Sequence, residues 1–318
     1  TGGTPGYQNS IFAANPDVTS PRLLRVSVLT VDSIRLWFSE SLDSASMMNL
    51  ASYTIDNGLG NPLSVNPIGA DFTKCDLKLA SPIVAGITYT ITVDFQLRDC
   101  VGNSLAVPGT AAFALPEAIL PNDIVINEIL FDPNDGGVDF VEIYNRSAKV
   151  VDLVLCTDDT ITNTLSDINI IAPEGFLLFP GQYLVLSESS AAVQMQFPNT
   201  TDIDRCLDMD NIPSMNVDGD IVVLADTGFR IIDKLIYYSA WHFPLLQETK
   251  GVSLERIDYD RTTQDATNWH SAAETAGFAT PTKQNSEFNP SGGDDGEVSI
   301  TQQIFSPDGD GFNDVVNI

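Results

Sequence analysis

Residues 123–147 read Asp-Ile-Val-Ile-Asn-Glu-Ile-Leu-Phe-Asp-Pro-Asn-Asp-Gly-Gly-Val-Asp-Phe-Val-Glu-Ile-Tyr-Asn-Arg-Ser. Apolar residues alternate with polar ones on both arms: Ile124, Ile126 and Phe131 on the first, Val138, Phe140 and Ile143 on the second. A period of two is that of a strand whose successive side chains point to opposite faces. The Pro-Asn-Asp-Gly-Gly between the arms supplies a turn, with Gly136-Gly137 able to take the positive φ that tight hairpins require. The stretch therefore predicts a β-hairpin with one buried face.

Downstream the same grammar continues. Residues 176–187 predict two strands around a Pro-Gly turn, and 189–197 a short helix. Residues 219–238 predict a hairpin turning at Asp226-Thr227-Gly228, and 251–257 and 268–270 complete the pattern. The phrases INEI…D…DFVEIYN, PGQYLVLS, GDIVVL, GVSLERI and NWH together resemble the lamin-tail domains of secreted Bacteroidota proteins, which implies an immunoglobulin-like sandwich over 123–288. Residues 188–218 exceed what such a fold needs, so a loop insertion bearing Cys206 is expected there.

Upstream, short alternating segments recur at 24–29, 33–38, 53–55, 75–79, 87–93 and 111–114, separated by Gly, Asn and Pro. Such regular short strands argue a second β-sandwich. The phrases WFSESLD, GITYTI and DCVGN resemble the bacterial Ig-like domain of surface-layer and adhesin proteins, which implies a spacer role for 21–115. The fold class expected is thus all-β, with two tandem immunoglobulin-like sandwiches and short terminal strands from neighbouring domains.

The ends carry a repeat. Thr-Pro-Gly-Tyr-Gln-Asn-Ser-Ile-Phe at 4–12 returns as Thr-Pro-Thr-Lys-Gln-Asn-Ser-Glu-Phe at 280–288, with six identities in nine positions, too many for chance turn chemistry. Residues 1–12 then read as the C-terminal strand of a preceding lamin-tail-like domain. Residues 13–20, 116–122 and 289–297 read as linkers. Residues 298–318 resemble the start of the C-terminal domain that gliding bacteria use for type IX secretion and surface attachment.

Composition bounds the partners. The 318 residues hold 43 acidic and 15 basic side chains, a net charge of −28, with a pI near 4.1 and mean hydropathy of +0.04. Hydrophobic residues at 43% suit globular cores rather than a disordered tail. Nucleic acid and anionic membrane are bound through Lys and Arg, so this charge argues against both. Dense carboxylates suit calcium, a hard cation that takes oxygen ligands. There is no signal-like segment and no apolar run long enough to insert in a membrane, and the chain reads as a fragment of a longer one.

Calcium is the one cofactor expected. Its candidate ligands are Asp308, Asp310, Asn313 and Asp314, where acidic residues alternate with glycines. A second set is Asp132, Asn134, Asp135 and Asp139 in the hairpin, and a third Asp208, Asp210, Asp218 and Asp220. Four cysteines in a β-rich chain predict the disulfides Cys75–Cys100 and Cys156–Cys206, with four buried free thiols as the alternative. Asp-Ser/Thr-aliphatic triplets make Ser33, Ser44 and Thr160 candidates for O-glycosylation. His242 and His270 each adjoin a Trp, which reads as aromatic packing rather than a base beside a serine. No G-x-S-x-G, HExxH, P-loop or GxGxxG occurs, so no enzyme is expected. Trp241 with Tyr237 and Tyr238 could stack on a sugar.

The function expected is a structural or adhesive module of a secreted or cell-surface repeat protein. Its partners would be neighbouring repeats, like molecules or surface polysaccharide. The alternatives are accessory domains of an extracellular hydrolase or nuclease, and a fibre subunit that assembles by edge-strand donation.

Overall fold

The computed structural model describes residues 5–6, 17–105, 108–153, 156–158 (backbone), 169–212, 214–226 and 228–290. The N-terminal sandwich holds β1 (Leu23–Thr30), β2 (Ser33–Phe38), the helix α1 (Ser44–Met47), β3 (Tyr53–Ile55), β4 (Ser64–Ile68), β5 (Lys74–Lys78), β6 (Thr88–Val93) and β7 (Gly109–Ala114). One sheet runs β1-β2-β5-β4 and the other β3-β6-β7, all antiparallel. Alternation sets the faces: Ile34, Leu36 and Phe38 of β2 point inward, as do Tyr89, Ile91 and Val93 of β6. Each such side chain contributes roughly 1.5–3 kcal/mol on burial. Strand β4 carries Pro67 and little alternation, so its sequence hides it. It lies at the sheet edge, where a residue without an N–H is tolerated.

The C-terminal sandwich holds β8 (Ile124–Leu130), β9 (Phe140–Asn145), β10 (Val151–Asp152), β11 (Cys156–Asp158), β12 (Asn169–Ile170), β13 (Leu177–Leu178) and β14 (Tyr183–Ser187). There follow α2 (Ser190–Gln196), β15 (Cys206–Asp208), β16 (Gly219–Ala225), β17 (Ile231–Tyr238), β18 (Leu254–Arg256) and β19 (Trp269–Ser271). A six-stranded sheet β15-β14-β9-β8-β18-β19 faces a four-stranded sheet β12-β11-β16-β17, and β10 pairs with β13. Between the large sheets lie Ile124, Ile129, Leu184, Leu224, Leu235 and Trp269. The 188–218 segment is more than a loop. Ser189 caps α2 through the Ala192 amide, β15 adds a parallel edge strand to β14, and Met209, Ile212 and Met215 enter the core.

Both faces of the β8–β9 hairpin are buried, against the expectation of one. All seven residues of β8 are inaccessible, Asn127 and Glu128 included. Two elements cover the outer face: α2, through Leu130, Phe140, Val185, Val193 and Phe197, and the segment 278–288. That second copy of the repeat forms no strand; it is an irregular strap. A register shift between Ile126 and Glu128 bulges β8 and frees the Ile126 backbone. Its N–H donates to Asp233 Oδ2 (2.8 Å) and its carbonyl accepts Arg256 Nε (2.9 Å). Arg256 is itself fully buried, 3.7 Å from Asp233, so two side chains from opposite sheets satisfy the bulge.

Neither expected disulfide is present: Cys75, Cys100 and Cys206 are free thiols. Cys75 lies in the N-terminal core with its sulfur 3.9 Å from the Tyr53 hydroxyl, while Cys100 is exposed with its sulfur on the Leu42 carbonyl. Cys206 packs on the outer cluster beneath α2, whereas Cys156 belongs to the facing four-stranded sheet.

The two sandwiches meet along one face of the β1-β2-β5-β4 sheet. Glu174 accepts from Arg35 Nη1 (2.6 Å) and Lys74 Nζ (2.9 Å). The Gly175 carbonyl accepts from Arg25 Nη1 (2.6 Å) and Ser27 Oγ (3.0 Å). Arg25 lies 3.7 Å over the Trp37 ring and 5.3 Å from Phe176. Leu177, although in the C-terminal sandwich, is buried in the N-terminal core. A bidentate Arg22–Asp204 pair (2.9 and 3.0 Å) closes the periphery.

Candidate functional site

The densest chemistry lies under the strap. Glu128 on β8 is directly opposite Glu142 on β9 and Glu255 on β18, so three carboxyl groups share one face of three neighbouring strands. All three residues are 0% exposed. The strap satisfies them almost alone. The Thr280 amide donates to Glu128 Oε1 (2.9 Å), the Thr282 amide to Glu142 Oε2 (2.5 Å), and the Glu287 amide to Glu255 Oε2 (2.9 Å). The Ser286 hydroxyl donates to Glu255 Oε2 (2.8 Å), and Ser253 Oγ on β18's flank donates to Glu128 Oε1 (2.6 Å). Asn127 Nδ2 donates to Glu142 Oε1 (2.8 Å) and to Asn285 Oδ1 (2.7 Å). Asn285 in turn donates to the carbonyls of Asn127 and Arg256. Phe288 ends the strap stacked on Tyr259 (4.4 Å).

Burial, then the facing Glu255, pushes the Glu128 carboxyl up to about 8. Burial and Glu128 push Glu142 well above the usual carboxylate range, and burial raises Glu255. The Thr280 hydroxyl has one proton but lies 2.6 Å from Glu255 and 3.3 Å from Glu128. A proton on Glu128 supplies the second bond. The arrangement is a carboxyl cleft built to receive N–H and O–H groups of a peptide, and the strap fills it.

The sequence pointed to other residues. Asp308, Asp310, Asn313, Asp314 and Thr160 lie outside the described residues. The hairpin set does not converge on a cation: Asp135 reaches out to Lys250 (2.6 Å), while Asp139 is pushed up to about 6, chiefly by burial. In the third set, Asp208 accepts from the Ser190 amide and Asp220 from Asn216. Among the described residues one group gathers three carboxylates within 4.8 Å, namely Asp17, Glu40 and Asp99. Glu40 Oε1 is buried without a hydrogen-bond partner, and burial with Asp17 and Asp99 raises its pKa. Those are the residues that could hold a hard cation, and they were missed because they are 23 and 59 positions apart.

His242 does sit beside a serine, contrary to expectation: Nδ1 is 2.9 Å from Ser271 Oγ. Both are buried, and burial pushes the imidazole down to about 4. The neutral ring accepts from the hydroxyl, which itself accepts the Phe243 amide (2.9 Å). Among the described residues no carboxylate bonds this imidazole, so the pair staples the loop at His242 to the end of β19. Tyr237 is fully buried and stacks on Phe131 (4.6 Å), while Tyr238 and Trp241 meet edge-on at 63°. They form no flat strip. Ser33 and Ser44 are half-buried at the starts of β2 and α1.

Comparison with known proteins places these features. Residues 14–114 match the family model described as a bacterial Ig-like domain, and residues 118–239 match the Lamin Tail Domain. Among curated proteins none matches. Among solved structures, the chain is similar to the N-terminal part of the bacterial S-layer protein SbsC at 17% identity and a TM-score of 0.28, over 52% of this chain and 40% of that one. It is also similar to part of native alpha-2-macroglobulin from Escherichia coli at 11% identity and a TM-score of 0.25, over 78% and 95%. The chain thus spans less than half of the S-layer protein it matches. It carries a bacterial Ig-like domain followed by a lamin-tail domain, both all-β.

Proposed function

We propose that this chain is a non-catalytic section of a secreted or cell-surface protein, holding two sandwiches at a set angle outside the cell. The observation that carries the reading is the joint at Glu174 and Gly175. Two cations converge on one carboxylate, and Leu177 is shared with the neighbouring core. A flexible tether would need neither. The family of the first domain supports a spacer role, and the edge-on setting of Tyr238 and Trp241 weighs against a sugar-binding platform. Among the described residues no helix is long and apolar enough to cross a membrane. Residues 298–318 support anchoring through a type IX secretion domain of the Bacteroidota kind, and adhesion to like molecules or polysaccharide belongs to the same reading.

Residual dipolar couplings on the whole chain test it. One alignment tensor for both domains is expected; two independent tensors would overturn the rigid-spacer reading. A calcium-stiffened version predicts a higher Tm in calcium than in EGTA, and equal melting removes calcium from it. An intact mass above the sequence mass would support sugars on Ser33, Ser44 or Thr160.

A further inference from the structure

We propose that Thr280 and Glu128 form an ester cross-link, made by the chain itself with loss of one water, which ties the strap covalently to β8. Thr280 brings a hydroxyl into the cleft between two carboxyl groups. Its Oγ1 lies 2.6 Å from Glu255 Oε1 and 3.3 Å from Glu128 Oε2. Glu255 also accepts from the Ser286 hydroxyl (2.8 Å) and the Glu287 amide (2.9 Å), and three donors favour a carboxylate. Glu128 takes its other two donors on one oxygen: the Thr280 amide (2.9 Å) and Ser253 Oγ (2.6 Å) both reach Oε1. Its Oε2 faces the Thr280 hydroxyl and is the oxygen that carries the proton of the neutral acid. One carboxyl is thereby fitted as a base and the other as an acid, which is what acyl transfer to a hydroxyl needs.

The step balances within the chain. Thr280 Oγ1 attacks Cδ of Glu128 and passes its proton to Glu255. The negative charge that gathers on Glu128 Oε1 is held by the Thr280 amide and the Ser253 hydroxyl, two donors already aimed at that atom. The tetrahedral centre then expels Oε2, which bears one proton, takes a second from Glu255 and leaves as water. The Oγ1–Cδ bond forms, the Cδ–Oε2 bond breaks, nothing is oxidised or reduced, and Glu255 ends as it began. Ser253 Oγ also touches Glu128, but its other neighbour is the Phe278 carbonyl (3.3 Å), which takes no proton. Thr280, Glu128, Glu255 and Ser253 are each at most 2% exposed, so bulk water is kept from reversing the bond. Groups held so close have effective molarities of roughly 10⁵–10⁸ M, above that of bulk water, so closure is favoured over the free acid. Until the bond forms, Glu128 titrates as a free acid. The step is a single self-modification, and the rigid joint involves none of these residues, so the proposal and the spacer reading stand or fall separately.

Mass spectrometry of the whole chain, incubated folded near neutral pH and then denatured, decides it. The expected result is a deficit of one water from the sequence mass and, after digestion, one branched peptide joining Glu128 to Thr280 that hydroxylamine splits. Thr280→Ser keeps the hydroxyl and should keep the link. Thr280→Val should lose it, and Glu255→Gln should slow its formation on the order of a hundredfold with the circular dichroism of the wild type. A wild-type chain at its full sequence mass with no branched peptide overturns the proposal. So does a one-water deficit that maps elsewhere, such as an Asp-Gly succinimide, a link that survives Thr280→Val, or a Glu255→Gln chain that links at the wild-type rate. The wild-type peptide map decides by itself even where a variant fails to fold.

Discussion

Arg256 and Glu128 show how single residues carry the lamin-tail domain. Arg256 donates to the Ile126 carbonyl, the Arg261 carbonyl and the Thr263 hydroxyl while facing Asp233. Its loss leaves a buried carboxylate uncompensated and a bulge carbonyl bare. Arg256→Met should lower the urea-unfolding free energy of this domain by about 3–5 kcal/mol; a loss below about 1 kcal/mol would show the bulge satisfied otherwise. Glu128 works in the opposite sense to a salt-bridged acid. Its folded pKa of about 8 lies above its ordinary value of 4.5. Between those pH values the folded chain holds a proton that the unfolded chain has released, so the contribution of Glu128 to stability is full below about pH 4.5 and is lost as pH rises through about 8. Glu128→Gln should flatten that slope in Tm-against-pH scans, and an unchanged slope would place the titration elsewhere. Among the thiols, exposed Cys100 should react promptly with a disulfide reagent. Cys75, buried and pushed up to about 12 by desolvation, should react only on unfolding. Failure of both to react after denaturation would mean they are bridged.

At the scale of elements, the strap is the piece whose role its composition conceals. It has no regular hydrogen-bond ladder and no alternation, yet it satisfies three buried carboxyl groups that would otherwise be stranded. Asn285 bonds the Asn127 side chain and two backbone carbonyls, and Asn285→Ala should cost about 1–3 kcal/mol for the partners left bare. Hydrogen exchange should then speed at the Thr280, Thr282 and Glu287 amides ahead of the β8–β9 ladder. Uniform exchange across the domain would mean that strap and sheet open as one unit. The α2–β15 insertion does the same work for the other half of the outer face, by apolar contact. A six-stranded sheet exposed on one side would present Phe140 and Val185 to water; with strap and insertion in place it presents neither.

Across the whole molecule, the domain joint decides whether the two sandwiches act as one. Glu174→Ala removes the acceptor of Arg35 and Lys74. The carboxylate is partly exposed, so the loss should be about 1 kcal/mol, small against either fold but enough to separate the two melting transitions. A single unsplit transition in the variant would mean that Leu177 and the Arg25–Gly175 contacts hold the joint unaided. The same joint was invisible in the sequence. Residues 173–175 read as a Pro-Glu-Gly turn, and nothing local marks Glu174 as the partner of cations 139 and 100 positions earlier.

By itself the sequence determined the all-β class, two sandwiches, the hairpins at 123–147 and 219–238, the short helix within 189–197 and the kinship of residues 4–12 with 280–288. Those are local matters: a strand's period, a turn's φ and a cap's hydroxyl all act within a few residues. It misled wherever a second surface was decisive. Asn127, Glu128 and Glu142 are polar residues of a hairpin expected to keep one face solvated, and nothing near them in the sequence marks them as buried. Only the tertiary structure could bury them, because their partners Thr280, Thr282 and Asn285 return some 140–158 residues later. The cysteines follow the same rule: two in one domain are neighbours in sequence space, but sheet order and side-chain direction set whether their sulfurs can meet. Periodicity tells which residues share a face; what covers that face is decided by long-range packing.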